Sequence, residues 1–317
     1  MRNADVVITG VGMVTPLGTT ARDTADAWRT GKVLAGRLLP ELAGTPMEDV
    51  SVGVLAEFDA AKRLGSRKAI KYMSEAALLG CVAAHEAALD AGLRRRFQPE
   101  EVGLFAGTGL AAADVHQVLP LIQESIDSNG RFSTRLLGER GLPATDPLLS
   151  FRILANMPAC LISIQEGIKG PSYIFTPWEG QSGAALREAW QAVASGEVSA
   201  AIAGAADTPA HPATLVYLRQ SGVLGGHDVP SNASAYLVLE RAETAARDSQ
   251  RMYARIESVE VTPVDGAGPD PLRARIGSAF AAAPAILLAL AAQLSWREAS
   301  LCGSDRCRIA FRLGEAA

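Results

Sequence analysis

The chain has 317 residues, 48% of them hydrophobic and 20% charged, with a formal net charge of −4. That length and apolar fraction allow a sizeable core in one large α/β unit and exclude global disorder. The acidic balance and scattered arginines exclude the basic stripe that a nucleic-acid partner requires.

The N-terminal "DVVITGVGMVTPLG" reads as an apolar, β-branched strand running into a glycine turn. No signal-peptide core precedes it, so a cytoplasmic protein with reduced thiols is expected. "TARDTADAWRTGK" predicts a helix capped by Thr20 and stopped at Gly31, and "SVGVLAEF" a second strand. "YMSEAALLGCVAAHEAALDAGL" is small and apolar on most faces, which predicts a long buried helix. The "LRRRF" that ends it reads as a solvated helix end. "EVGLFAGTGL" is a third strand; its Gly107-Thr108-Gly109 is a tight turn, too short for a dinucleotide fingerprint. Residues from about Ala111 to Asp146 read as an irregular helical excursion, and "SFRILANMPACLISIQEGI" as one further helix.

"GPSYIFTPWEGQSGAALREAW" predicts a strand, a sharp turn and a helix start, the geometry that presents a nucleophile at a helix N-terminus. The turn carries Trp178, Glu179 and Gly180 instead of Cys or Ser, and Ser182 reads as the helix N-cap. Three more strands follow in "EVSAAIAGAADT", "ASAYLVLERAET" and "YARIESVEVTPV". The uncharged run Ile276–Ser295 has about the length of a membrane span. Its Gly, Ser, Pro and Gln residues make a buried helix the better reading. Apolar strands alternating with helices predict a sheet covered on both faces. No Cys/His spacing suits a metal, and Cys81 and Cys160 read as core fillers.

Six segments in register, from Asp5 to about Val261, resemble the β-ketoacyl-acyl-carrier-protein synthases, or ketosynthases. They are "VVITGVGMVTPLG", "VGLFAGTG", "NMPACLISIQEGIKGPSY", "AAIAGAADT", "YLVLERAETA" and "YARIESVEV". The resemblance implies a thiolase-like α/β fold layered α-β-α-β-α. A nearly complete N-terminal half would span residues 1–254 and a reduced C-terminal half residues 255–317. It further implies a nucleophilic Cys on the turn and two His residues from the second half. Here Glu179 occupies the Cys position, Ser278 one His position, and the segment for the other His is missing.

The implied function is a non-catalytic subunit of the chain-length-factor type. It would pair with an active ketosynthase in polyketide, aryl-polyene-type or fatty-acid-like biosynthesis and meet acyl carrier protein through the complex, with no cofactor and no membrane span. Interface or tunnel positions implied by the resemblance are Leu110, Val115, His116, Leu119, Tyr173, Phe175, Trp178, Glu179 and Gln181. The shortened second half is expected to leave core exposed for a partner to cover. Two alternatives stay open: a hydrolase or decarboxylase using Glu179, and a self-associating scaffold without acyl chemistry. Cys160 as a substitute nucleophile is a remoter option.

Overall fold

The computed structural model describes residues 4–110, 115–226, 228–266 and 268–315. Among these residues, ten strands and seven helices of two turns or more carry the fold. The strands are β1 (Val6–Val14), β2 (Gly36–Leu38), β3 (Ser51–Gly53), β4 (Val102–Thr108), β5 (Ser172–Phe175), β6 (Ala200–Asp207), β7 (Ala233–Arg241), β8 (Ala254–Pro263), β9 (Glu298–Cys302) and β10 (Cys307–Gly314). The helices are α1 (Ala21–Arg29), α2 (Glu75–Asp90), α3 (Val115–Glu124), α4 (Met157–Glu166), α5 (Glu179–Ser195), α6 (Pro212–Gln220) and α7 (Ala283–Leu294).

Eight strands form one mixed sheet in the order β5-β4-β6-β7-β1-β8-β10-β9. β4 pairs in parallel with β5 and β6, and the other neighbours are antiparallel. The first five strands in that order form one wing and β8, β10 and β9 the other. The wings are joined where Val6–Ile8 of β1 pairs with Ala254–Ile256 of β8.

α2 and α4 cover one face of the five-stranded wing, and α5 and α7 pack on the other. α5 and α7 also touch the three-stranded wing, so both wings rest on the same helix pair. Small side chains permit this. Gly183 of α5 faces Ile309 of β10 and Val261 of β8 so closely that a Cβ there would come within 2.7 Å of Ile309. Gly10 and Gly12 of β1 likewise lie against the α2 backbone, where a Cβ would fall 2.1 and 1.9 Å from the Ala87 and Ala83 carbonyls. Carboxylates of α2 satisfy the amides of β1 at this crossing: Val11 donates to Asp90 and Met13 to Glu86.

The outer face of the three-stranded wing carries Ser258, Glu260, Arg308, Arg312 and Glu298, with no helix packed on it among the described residues. The exposed apolar core expected there is absent because the outward positions are polar. Alternation along β10, with Ile309, Phe311 and Leu313 inward and Arg308 and Arg312 outward, lets this face meet water.

Several local expectations need correction. "SVGVLAEF" is strand only over Ser51–Gly53, because its partner β2 is three residues long. Leu55 and Phe58 beyond it pack on the α2 side as loop. The expected helix at 150–168 is two: a short helix Leu149–Ile153, then α4, which restarts with Pro158 in its first turn. The "LRRRF" cluster is not uniformly solvated. Arg96 forms a two-pronged pair with Glu240, which is fully buried and also accepts from Thr9. Cys81 is buried as expected, whereas Cys160 is only half-buried. The run Ile276–Ser295 holds α7, whose residues through Ala292 are all buried, and no helix among the described residues is long and apolar enough to cross a membrane.

Arg96→Met strands the Glu240 carboxylate inside the fold. It is expected to lower unfolding stability in urea by about 3–5 kcal/mol, while Arg95→Ala at the exposed neighbour changes it by less than about 0.5 kcal/mol.

Candidate functional site

The turn predicted to carry the chemistry lies between β5 and α5. Extended backbone at Trp178 precedes the helix, which begins at Glu179. Ser182 is therefore inside the first turn and a half and is not the N-cap; its amide donates to the Trp178 carbonyl. Its buried hydroxyl sits against Gly107 of β4 without a hydrogen-bond partner.

The open N-terminus of α5 is closed by the β9–β10 turn. The Ser304 amide donates to Glu179 Oε1 at 3.1 Å, and the Ser304 hydroxyl lies 3.1 and 2.8 Å from Oε1 and Oε2. Asp305 Oδ2 accepts from the Gly180 amide at 2.9 Å and so does the capping that Trp178 does not. Gly303 lets the turn approach, since a Cβ there would fall 2.7 Å from Glu179 Cβ. Glu179 is 6% exposed and turned inward, so its carboxylate is spent within the chain and not on a partner surface.

Burial pushes the Glu179 carboxyl up, and the charge of Asp305 adds to that; the helix-terminal amide and Ser304 pull the other way. Cys307, at the start of β10, lies against Gly180, and its thiol is raised by burial and by Asp305 and Glu179. That places a thiol beside the turn, but in surroundings that disfavour the thiolate.

Asp207, the last residue of β6, is the other carboxyl of this region. It accepts from the Ala281 amide at 3.0 Å. Burial, with a contribution from Glu179, pushes its carboxyl up to about 8 although backbone amides of Ala281 and Thr208 oppose the rise. Gly109 is required beside it, because a Cβ there would fall 1.9 Å from Asp207 Oδ1.

Asp207 lines a cavity of about 430 Å³ at the carboxyl ends of β4 and β6. The cavity is bounded by Thr108 to Leu110, the start of α2, the Arg152–Pro158 segment and His211, which caps α6. Glu179 does not line it. Trp178 and Phe280 meet edge-to-face at 6.4 Å and join Leu110 and Ala210 in a small apolar cluster.

The remaining expected positions scatter. Ser278 is buried, its hydroxyl 3.3 Å from Asp228 Oδ1 and its backbone tied to Val229 and Ser231. Its contacts are thus not those of Glu179. Leu110 lines the cavity, but His116 and Leu119 are exposed on α3, and Gln117 between them lines the cavity. The side chain of Val115 lies outside the described residues, as does His227. Tyr173 and Phe175 belong to the sheet's edge strand. Tyr173 is 45% exposed and stacks on Phe105 at 5.2 Å, while Phe175 is half-buried against the main core. Gln181 is exposed.

A family model described as "Beta-ketoacyl synthase, N-terminal domain" matches residues 3–237. The chain belongs to the β-ketoacyl synthase family. Among named relatives of this ketosynthase-family chain, a 3-oxoacyl-[acyl-carrier-protein] synthase 2 of Synechocystis sp. is 24% identical over 275 residues, 81% of this chain and 62% of that relative. The tetracenomycin polyketide synthase ketoacyl synthase beta subunit of Streptomyces glaucescens is 30% identical over 298 residues, 86% of this chain and 68% of that relative. The solved ishigamide ketosynthase/chain length factor superposes with a TM-score of 0.75 at 16% identity, covering 98% of this chain and 99% of that chain. The chain thus spans about two-thirds or less of the length of these sequence relatives, with the fold of the solved structure.

The native state holds the Asp207 proton to about pH 8, whereas the unfolded chain releases it near 3.8. Stability from this group is therefore full below that lower value and falls as pH rises towards 8. Asp207→Asn keeps an acceptor for the Ala281 amide but cannot ionise. Denaturation midpoints of the variant across this interval are expected to decline less steeply with pH than those of the parent.

Proposed function

We propose that this ketosynthase-family chain is a non-catalytic, chain-length-factor-like subunit that pairs with an active ketosynthase. The observation that carries this reading is the closed turn. Glu179 stands where the resemblance puts the acyl-accepting Cys, and its oxygens and the next amide are already engaged by Ser304 and Asp305. A carboxylate there cannot form the thioester that begins condensation. Ser278, at the position of one assisting His, bonds to Asp228 instead. The similarity to a ketoacyl synthase beta subunit and to a ketosynthase/chain length factor structure supports the same reading.

The pairing surface proposed is the free edge of β5 with the excursion around α3. Among the described residues β5 pairs only with β4, and it shows Tyr173 and Ile174 to solvent. Exposed Leu119, Ile122, Ile126 and Phe132 lie in the excursion. An unpaired strand edge with nearby apolar side chains is a surface that proteins cover. Enzymatic use of Glu179 is less favoured by this geometry, because the carboxylate is buried under Ser304 and does not line the Asp207 cavity.

Co-expression with an intact ketosynthase of the same genome and its acyl carrier protein tests the proposal. A one-to-one complex on size exclusion, together with a product chain-length distribution that shifts when this chain is omitted, is expected. A chain that stays separate, with identical products in its absence, contradicts it.

A further inference from the structure

The cavity beside Asp207 is divided. Met73, Leu110 and Leu154 present apolar surface to it, while Thr108, Thr208 and Asp207 present polar surface at the ends of two parallel strands. Its 430 Å³ is within the range of small-ligand pockets.

Asp207 is an unusual wall for a hydrocarbon chain. It is 3% exposed and forms no ion pair among the described residues; its hydrogen-bond partners are the backbone amides of Ala281 and Thr208. A carboxyl so buried, with Glu179 close by on α5, keeps its proton, and a protonated carboxyl has one O–H to give. The other charged or titratable groups around the cavity are Lys71 and Glu75 at the start of α2, Arg152 and His211. Arg152 is held by Asp146 and the Lys71 carbonyl, so its guanidinium is engaged away from Asp207.

We infer that this cavity receives an oxygen-bearing acyl segment, and that Asp207 is the specificity-determining residue, donating a hydrogen bond to a carbonyl or hydroxyl oxygen of the chain. The inference rests on the subunit reading above for the origin of the chain. The Thr108 hydroxyl is already given to the Ala155 carbonyl, so a saturated segment in the same place leaves the Asp207 O–H facing hydrocarbon without a partner, which is costly in a buried site. A site built on such donors discriminates more sharply than an apolar pocket does between chains of different length. Asp207 touches the bound chain in this scheme but transfers no proton to it.

Binding of two probes to the purified chain tests this: the N-acetylcysteamine thioesters of 3-oxohexanoic acid and of hexanoic acid, measured by calorimetry on either side of about pH 8. Below that pH the oxo probe is expected to bind at least about tenfold tighter, and the advantage is lost above it as Asp207 ionises. In Asp207→Asn, whose carboxamide donates at any pH, the advantage persists on both sides. Equal binding of the two probes to the folded chain, no binding of either, or an advantage in the parent chain that ignores pH overturns the inference. Co-purification with the ketosynthase is scored separately. Pairing without probe discrimination leaves the subunit reading intact and removes this one; discrimination without pairing does the reverse.

Discussion

The closure of the α5 N-terminus by the β9–β10 turn is the contact on which the rest depends. A helix of this length presents unpaired amides and a positive dipole end at its first turn. In a nucleophile turn that potential is kept for a reacting anion. Here Asp305 takes the Gly180 amide and Ser304 takes both oxygens of Glu179. The same contacts tie the outermost hairpin of the three-stranded wing to the helix between the wings. One interaction therefore both caps the helix and seats the β9–β10 hairpin.

The energetics of the region follow from that seating. Glu179, Asp305, Asp207 and the Cys307 thiol are brought near one another with no Lys or Arg paired to them among the described residues. Burial then raises Glu179, Asp207 and the Cys307 thiol, and the charges of Asp305 and Glu179 push the thiol further in the same direction. Such an environment suits neutral acids that donate hydrogen bonds, and opposes a thiolate. Close packing supports it: glycines at 109, 180, 183 and 303 each admit a neighbour that a Cβ would displace.

Much of this was legible in the sequence. The apolar β-branched and small-residue runs that form β1, β4, β6 and β7 identify themselves by composition, as does α2 by its unbroken small and apolar faces. The Thr20 cap was readable from a side chain that bonds three residues ahead. Glu179 at the start of the helix was readable from the strand–turn–helix pattern. What was not visible is long-range. Nothing near Ser304 or Asp305 indicates that a turn 125 residues away closes on Glu179. Asp207 left one trace, a lone acid ending the otherwise apolar "AAIAGAAD" strand. Arg96 looked like its exposed neighbours because its partner Glu240 lies 144 residues further on. A helix of 3.6 residues per turn turns Gln117 towards the cavity and leaves His116 and Leu119 facing outward, a direction that spacing alone did not assign.

The three-stranded wing needs no cover on its outer face. Its inward residues meet α5 and α7, and its outward residues are charged or hydroxylated, so no further helical layer is required to keep apolar surface from water. In the proposed pairing a partner meets the β5 edge and the apolar residues around α3, not this wing.

The most direct measurement of the central claim is acylation of a restored thiol. Glu179→Cys, incubated with an acyl-acyl-carrier protein and analysed by peptide mass spectrometry, puts the family's nucleophile back on the turn. The account predicts no acyl adduct at residue 179, because Asp305 still occupies the Gly180 amide and holds the new thiol in its protonated form. A stable acyl thioester at that position would contradict it.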